Sequence, residues 1–113
     1  MQVKSKERVA EYGEVFTSQR EINAMLDLVK HETERFESRF LEPACGDGNF
    51  LAEILARKLA VISKKYSKSQ KEFERYSLIA SGSIYGIDIL NDNVERCRER
   101  LGMIVYHEYK KWI

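Results

Sequence analysis

Apolar residues recur with helical periodicity near the start of the chain. Four of them lie at i, i+3, i+4 and i+7: Ile22, Met25, Leu26 and Val29. Ser18 stands before them as an N-cap, and Glu21 three residues later completes a capping box. The pattern predicts an amphipathic helix that runs from Ser18 to about Glu34.

Three further helices are predicted along the rest of the chain. The second covers about residues 50–63, and the third covers about residues 69–80, where the many charges indicate a solvated face. The last begins at Asn91 or Asp92, either of which can cap it. Its apolar seam continues through the final turn: Val94, Cys97, Leu101, Ile104 or Val105, Tyr109 and Trp112.

Two short segments have the composition of β-strands. Residues 40–43 end at the only proline of the chain, Pro43, and residues 83–88 end at Asp88. Because helices separate the two segments, we expect a parallel pair within a βαβ unit. The predicted fold class is α/β, helix-rich, with a parallel sheet core and helices on both faces. A single domain spans residues 1–113, and residues 1–12 are predicted to form a flexible arm.

Length, charge and cysteine usage exclude several classes of protein. The chain has 113 residues and a formal net charge of +1, which argues against nucleic-acid binding by phosphate contacts alone. Cys45 and Cys97 lie 52 residues apart and form no CxxC pair. That spacing disfavours a zinc site or a disulfide framework and indicates a reducing, cytoplasmic setting. No apolar run approaches the roughly 20 residues that a membrane span needs.

A turn with two glycines follows the first predicted strand. Gly46 and Gly48 allow close approach of a ligand to the backbone, and the helix that follows supplies free N–H groups. The turn carries an acid, Asp47, and has Leu51 where a dinucleotide site has its third glycine. An acidic turn suits a cationic ligand group better than a pyrophosphate. S-adenosylmethionine, with its sulfonium and amino groups, fits this requirement.

The acid at the end of the second strand suits a ribose. The Asp88 carboxylate can accept two hydrogen bonds from vicinal hydroxyls. It lies 40 residues after Gly48, where about 20 is usual in a compact nucleotide-binding unit. The inserted helix within residues 64–80 accounts for the excess.

These residues also have simpler interpretations. Gly46 and Gly48 fit a plain tight turn, Asp88 fits the N-cap of the last helix, and Thr17 fits a capping residue before the first helix. Cys45 suits a small buried residue rather than a nucleophile, because no histidine lies in the motif.

Three segments, in order, resemble a known family. Residues 41–51, Leu-Glu-Pro-Ala-Cys-Gly-Asp-Gly-Asn-Phe-Leu, closely resemble the S-adenosylmethionine-binding motif of adenine-specific DNA methyltransferases of restriction–modification systems. Residues 13–17, Gly-Glu-Val-Phe-Thr, with the Ile-Asn-x-Met-Leu of residues 22–26, resemble that family's N-terminal motif. Residues 84–88, Ile-Tyr-Gly-Ile-Asp, resemble its ribose-binding strand. The resemblance implies part of the class I, Rossmann-like methyltransferase fold.

The resemblance also implies a set of cofactor contacts. Phe16 and Thr17 would face the methionine or adenine end of S-adenosylmethionine, and Ile89 would pack on the adenine. Asp88 would hold the ribose hydroxyls. The loop from the first strand would surround the methionine and ribose, through Glu42, Ala44, Cys45, Gly46, Asp47 and Gly48.

The family's catalytic segment has no counterpart in this sequence. Methyl transfer to an exocyclic amine uses an Asn/Asp-Pro-Pro-Tyr/Phe segment, whose polar groups bind the amine and whose ring stacks on the flipped base. Pro43 is the only proline, and Ala44 follows it, so neither that segment nor the Pro-Cys of cytosine methyltransferases is present. We therefore expect no catalytic residue in this chain.

The leading hypothesis is an S-adenosylmethionine-binding part of a DNA adenine methyltransferase. Its partners would be DNA, reached through a complete enzyme or a partner chain, and a complementary catalytic half or a specificity subunit. The alternative is a non-catalytic, degenerate binding or assembly module with a methyltransferase-like fold. A third hypothesis is a methyltransferase that acts on protein or RNA. We also expect a homodimer or hetero-complex with the last helix in the contact, since its apolar seam would lack strands to rest on.

Overall fold

The computed structural model describes residues 2–3, 15–16, 18–42, 48–86 and 91–112. The strands are β1 (Gln2–Val3), β2 (Val15–Phe16), β3 (Phe40–Glu42) and β4 (Ile84–Gly86). The helices are α1 (Gln19–Asp27), α2 (Lys30–Glu34), α3 (Asn49–Lys65), α4 (Gln70–Ser81) and α5 (Asn91–Lys110). Within these ranges no helix combines the length and the apolar character required to cross a lipid bilayer.

The predicted parallel pair is confirmed. β3 and β4 run parallel, with Phe40 opposite Ile84 and Glu42 opposite Gly86. The amide of Phe40 also donates to the carbonyl of Ser83 at 2.9 Å. α3 and α4 lie between the two strands in the chain, so the inserted helix is where the sequence placed it.

The parallel sheet has only the two predicted strands within the described residues. The described residues form two two-stranded sheets, the parallel β3–β4 pair and an antiparallel β1–β2 pair. Leu41 and Tyr85, which are register partners in β3 and β4, are 61% and 49% exposed. The described part of the chain is therefore helix-rich with a small parallel sheet. We expected helices on both faces of that sheet, and within the described residues one face is largely exposed.

The first predicted helix is divided in two. Ser18 does cap α1, since its hydroxyl accepts from the amide of Glu21 at 3.3 Å. The single helix to Glu34 is wrong, however, because Val29 leaves the helical region with φ −120° and ψ 34°. The break leaves Val29 44% exposed and brings Thr33 into the interior at 0% exposed. Because of the turn, Thr33 is buried in place of the apolar Val29. The Thr33 hydroxyl donates to the Lys30 carbonyl at 2.8 Å.

Helix α3 is the centre of the core. It contacts α1, α2, α4, α5 and both strands of the parallel sheet. Its buried residues are spread around much of its circumference: Leu51, Ala52, Ile54, Leu55, Lys58, Leu59 and Ile62. A helix surrounded in this way is stabilised mainly by burial of its apolar side chains, each contributing about 1.5–3 kcal/mol.

Helix α4 begins where the sequence predicts. The Ser69 hydroxyl accepts from the amide of Glu72 at 3.3 Å. Phe73 and Ala80 are buried, whereas none of the charged residues of the helix is: Lys71 and Arg75 are exposed, and Glu72 and Glu74 are half-buried. The charge-rich segment is therefore, in its helical part, a solvated helix face.

The apolar seam of α5 does not form the free surface that we expected. Its residues pack within the chain against a cluster of buried side chains from α3 and α4: Leu55, Leu59, Ile62, Phe73 and Ala80. Trp112 lies beside Phe73, with ring centroids 5.4 Å apart. The expectation of an unsupported seam was wrong because α3 and α4 supply the surface that we had assigned to missing strands.

Candidate functional site

The two strands of the parallel sheet end side by side. Glu42, the last residue of β3, is the register partner of Gly86, the last residue of β4. In open α/β sheets, ligands bind at the carboxyl ends of parallel strands. The segments that follow these strands, residues 43–47 and 87–90, lie outside the described residues.

Some of the predicted cofactor residues are described by the structure and others are not. Glu42 is half-buried at the end of β3, Gly48 is buried before α3, and Phe16 lies in β2 opposite Gln2. The other predicted residues lie outside the described ranges: Thr17, Ala44, Cys45, Gly46, Asp47, Asp88 and Ile89. The structure thus places Glu42 and Gly86, the residues that precede the two undescribed motif segments, side by side.

Gly48 has a conformation that only glycine adopts readily. Its φ is +89°, in the left-handed region, at the N-cap of α3. A Cβ built on Gly48 would lie 2.7 Å from the Sγ of Cys97 in α5. The sequence suggested that this glycine gives space to a ligand, and the structure shows that it also gives space to a neighbouring helix.

The first turn of α3 has no side-chain cap. Gly48 has no side chain to accept from the first amides, and the turn contains no acidic residue. Backbone N–H groups at such a helix start can receive a carboxylate or another anionic group. The side chain of the first helical residue, Asn49, instead accepts a hydrogen bond from the Arg100 guanidinium of α5. The helix start is therefore tied to α5 by Arg100 as well as by Cys97.

Two described features beside the strand ends can engage charged groups of a ligand. The amides at the start of α3 suit an anionic group, and the Glu42 carboxylate suits a cationic group.

A groove of about 690 Å³ also borders the parallel sheet. Its described lining is mostly apolar, with Leu41 and Tyr85 on one side and α5 on the other, and it includes two arginines, Arg39 and Arg98. Two cations in the wall disfavour a sulfonium. We therefore do not assign the cationic part of the cofactor to this groove.

A fully buried lysine, which was not among the predicted site residues, lies beneath the sheet. Lys58 of α3 is 0% exposed. Its Nζ donates to the carbonyls of Phe36, at 3.2 Å, and Ser38, and to the Ser83 hydroxyl at 2.6 Å. Three acceptors satisfy the three donors of an ammonium group. Lys58 thereby joins the turn before β3 to the residue before β4 and supports the pairing of these strands.

The environment of Lys58 opposes its charge. Burial lowers the pKa of this amine to about 8, against the opposing effect of Glu37 and Glu32. A sequence signal for its burial does exist: Lys58 follows Ile54 by four residues and Leu55 by three, so it lies on the apolar stripe of α3. Because all three of its donors are occupied, its role is structural.

No protein-family model matches the sequence, and neither a curated protein nor a solved structure is similar to it. The resemblance to adenine methyltransferases therefore rests on the motif segments themselves.

Proposed function

We propose that this chain supplies the S-adenosylmethionine-binding part of a DNA adenine methyltransferase of the restriction–modification type. The observation that carries the proposal is the register of Glu42 with Gly86. Because of this register, the acidic glycine turn and the segment that contains Asp88 begin at adjacent points on one edge of the sheet. A cofactor that spans both segments needs this adjacency.

In this proposal the residues of this chain bind and orient the cofactor, and Thr17, Asp88 and Ile89 among them lie outside the described ranges. Glu42 attracts its cationic groups, and the amides at the start of α3 receive its carboxylate. Asp88 binds the ribose hydroxyls, Phe16 and Thr17 face the methionine or adenine end, and Ile89 covers the adenine. When bound, the cofactor supplies an electrophilic methyl group.

Transfer of that methyl group requires residues that this sequence lacks. The proposal therefore includes a partner that carries the Asn/Asp-Pro-Pro-Tyr/Phe segment, as a complementary catalytic half or together with a specificity subunit. DNA reaches the cofactor through that assembly. We expect no methyl transfer by the chain alone.

A second candidate function is a non-catalytic binding or assembly module. The contact between Gly48 and Cys97 favours it, because helix packing alone accounts for a glycine at this position. In that case the glycine motif would serve the packing of the helices and would not bind a cofactor.

Isothermal titration of the purified chain with S-adenosylmethionine distinguishes the two functions. Saturable binding is expected, together with much weaker binding of ATP, whose phosphates are repelled by Glu42 and Asp47. Circular dichroism verifies that the titrated chain is helical. A folded chain that binds no S-adenosylmethionine would overturn the first proposal and favour the second.

A further inference from the structure

Positive charge is concentrated in the segment that joins α3 to α4. Residues 64–71, Lys-Lys-Tyr-Ser-Lys-Ser-Gln-Lys, contain four lysines and no acid. The rest of the chain carries 15 cationic and 18 acidic side chains, a formal net charge of −3. The segment consists of the last two residues of α3, the connection, and the first two residues of α4, and we call it the cationic turn. The net charge of +1 is therefore distributed very unevenly along the chain.

The lysines of the cationic turn are exposed, and most of them have no partner within the chain. All four are exposed side chains. The Nζ of Lys65 lies over the ring of Tyr66, 5.6 Å from its centroid. Within the described residues, Lys64, Lys68 and Lys71 form neither an ion pair nor a hydrogen bond. These three ammonium groups are thus available to an external anion.

Helix electrostatics accounts for only two of the four lysines. Lys64 and Lys65 lie in the last turn of α3, where a cation is stabilised by the free carbonyl groups. Lys71 lies in the first turn of α4, where the helix dipole is unfavourable for a cation. Lys68 belongs to neither helix. Because Lys68 and Lys71 do not stabilise a helix end, their charges favour a role in binding.

We propose that the cationic turn binds the phosphate backbone of duplex DNA. The choice of DNA among polyanions rests on the proposed function. Lys68 and Lys71 are the principal contacts, and each ammonium group neutralises a phosphate. Such contacts position a duplex without reading its sequence.

The contact is distant from the proposed cofactor site. Helix α3 begins beside the strand ends and has 17 residues, so its other end lies about 25 Å away. Base pairs are stacked about 3.4 Å apart, so a duplex that follows α3 spans about seven base pairs over this distance. The cationic turn therefore holds the DNA away from the target base, and its lysines do not contact the cofactor.

The test is a fluorescence anisotropy titration of the full chain with two labelled duplexes of unrelated sequence, over a range of salt concentrations. The probes are about 20 base pairs long, which exceeds the span of α3. Lys68→Gln/Lys71→Gln is compared with Lys30→Gln/Lys111→Gln. The second pair is the matched control, because it removes the same charge from lysines already paired with Glu34, at 3.8 Å, and Glu108, at 3.1 Å. Circular dichroism establishes that each variant is folded.

We expect the wild type to bind both duplexes with a dissociation constant of about 10⁻⁶–10⁻⁴ M at physiological salt. Lys68→Gln/Lys71→Gln should weaken binding of both sequences equally. It should also reduce the slope of log affinity against log salt by about 2, since each phosphate contact contributes about 0.9. The control should leave the slope unchanged.

Three results would overturn the proposal. The first is absence of binding by the wild type at low salt. The second is an equal change of slope in the two double variants, which would show an effect of net charge alone. The third is unchanged DNA binding by Lys68→Gln/Lys71→Gln together with lost binding to phosphatidylserine vesicles, which would assign the cationic turn to a membrane surface.

Failure of this proposal is distinguishable from failure of the proposed function. Calorimetric titration with S-adenosylmethionine should give the same affinity for the wild type and for Lys68→Gln/Lys71→Gln. Cofactor binding without a DNA effect of these lysines would overturn the role of the cationic turn alone.

Discussion

Gly48 and Cys97 are in such close contact that a methyl group on the glycine would lie 2.7 Å from the cysteine sulfur. The two residues belong to the start of α3 and to the middle of α5, which flank the proposed cofactor segments in the chain. Any side chain at position 48 would therefore push apart the helices that follow the two strand ends.

Replacement of this glycine should destabilise the fold. Gly48→Ala should lower the free energy of unfolding by about 2–4 kcal/mol, since a left-handed alanine costs about 1–2 kcal/mol and the contact with Cys97 adds to that. Urea denaturation measures the loss.

A double-mutant cycle with Cys97→Ala separates the two causes. Removal of the sulfur should recover about 1 kcal/mol of the loss, and the backbone part should remain. Strict additivity of the two substitutions would show that the contact with Cys97 contributes nothing.

Removal of the buried ammonium should also destabilise the fold. Lys58→Met leaves the carbonyls of Phe36 and Ser38 without this donor, and the expected loss is about 1–3 kcal/mol. Lys64→Met is the matched control, because Lys64 is an exposed residue of the same helix, and its effect should stay within about 0.5 kcal/mol. Equal effects of the two substitutions in urea denaturation would contradict the structural role of Lys58.

The same lysine should make stability depend on alkaline pH. Its pKa is lowered from 10.5 to about 8 in the fold, so between these values the unfolded chain binds more protons than the folded chain. The free energy of unfolding of the wild type should therefore rise relative to that of Lys58→Met from about pH 8 to pH 10.5 and stay constant below pH 8. The tyrosines titrate in both proteins, so their contribution to the pH dependence cancels in the difference between wild type and variant. A difference that does not change with pH would show that the pKa is not lowered.

Loss of the proposed ribose ligand should weaken cofactor binding. Asp88→Ala should reduce the affinity for S-adenosylmethionine about 10- to 150-fold, which corresponds to a charge-assisted hydrogen bond of about 1.5–3 kcal/mol. Asp92→Ala is the control, because that carboxylate pairs with Arg96 on the surface of α5 at 3.2 Å. Calorimetric affinities of the two variants that are equal to each other would refute the role of Asp88.

Substitution of the single tryptophan should affect folding and not association. Trp112 packs on Phe73 within the chain, so Trp112→Ala should lower the free energy of unfolding by about 2 kcal/mol, less than for a fully buried ring. Tyr106→Ala, at a 51% exposed aromatic residue of α5, should change it by less than about 0.5 kcal/mol. Light scattering should give the same mass for the wild type and Trp112→Ala. A change of mass with unchanged stability would instead place Trp112 in an interface between chains.

Much of the fold was predictable from local patterns. The cap at Ser18 and the start of α4 follow from residues that are close in sequence, and the parallel relation of β3 and β4 follows from the helices between the strands. For the candidate site, the sequence indicated the glycine at position 48 and the acid at position 42. Whether the undescribed residues of the motif bind a cofactor stays a prediction.

The remaining features were not predictable because they depend on contacts between distant segments. Val29 continues the apolar repeat, yet the chain turns there and buries Thr33 instead. The sequence places Lys58 on the apolar stripe of α3, but it does not show that the turn before β3 supplies two carbonyls for its ammonium group.

The sequence by itself determined the type and order of most of the helices and of the two parallel strands, since helical periodicity, capping and the strand–helix–strand order act over short distances. Only the tertiary structure decided which face of each helix is buried. The seam of α5 illustrates this: its apolar period predicted the helix, but packing on Leu59 and Phe73 decided that the seam is partly buried within the chain. The physical reason is that periodicity shows which residues share a face, whereas burial depends on the surface that the rest of the chain brings to that face.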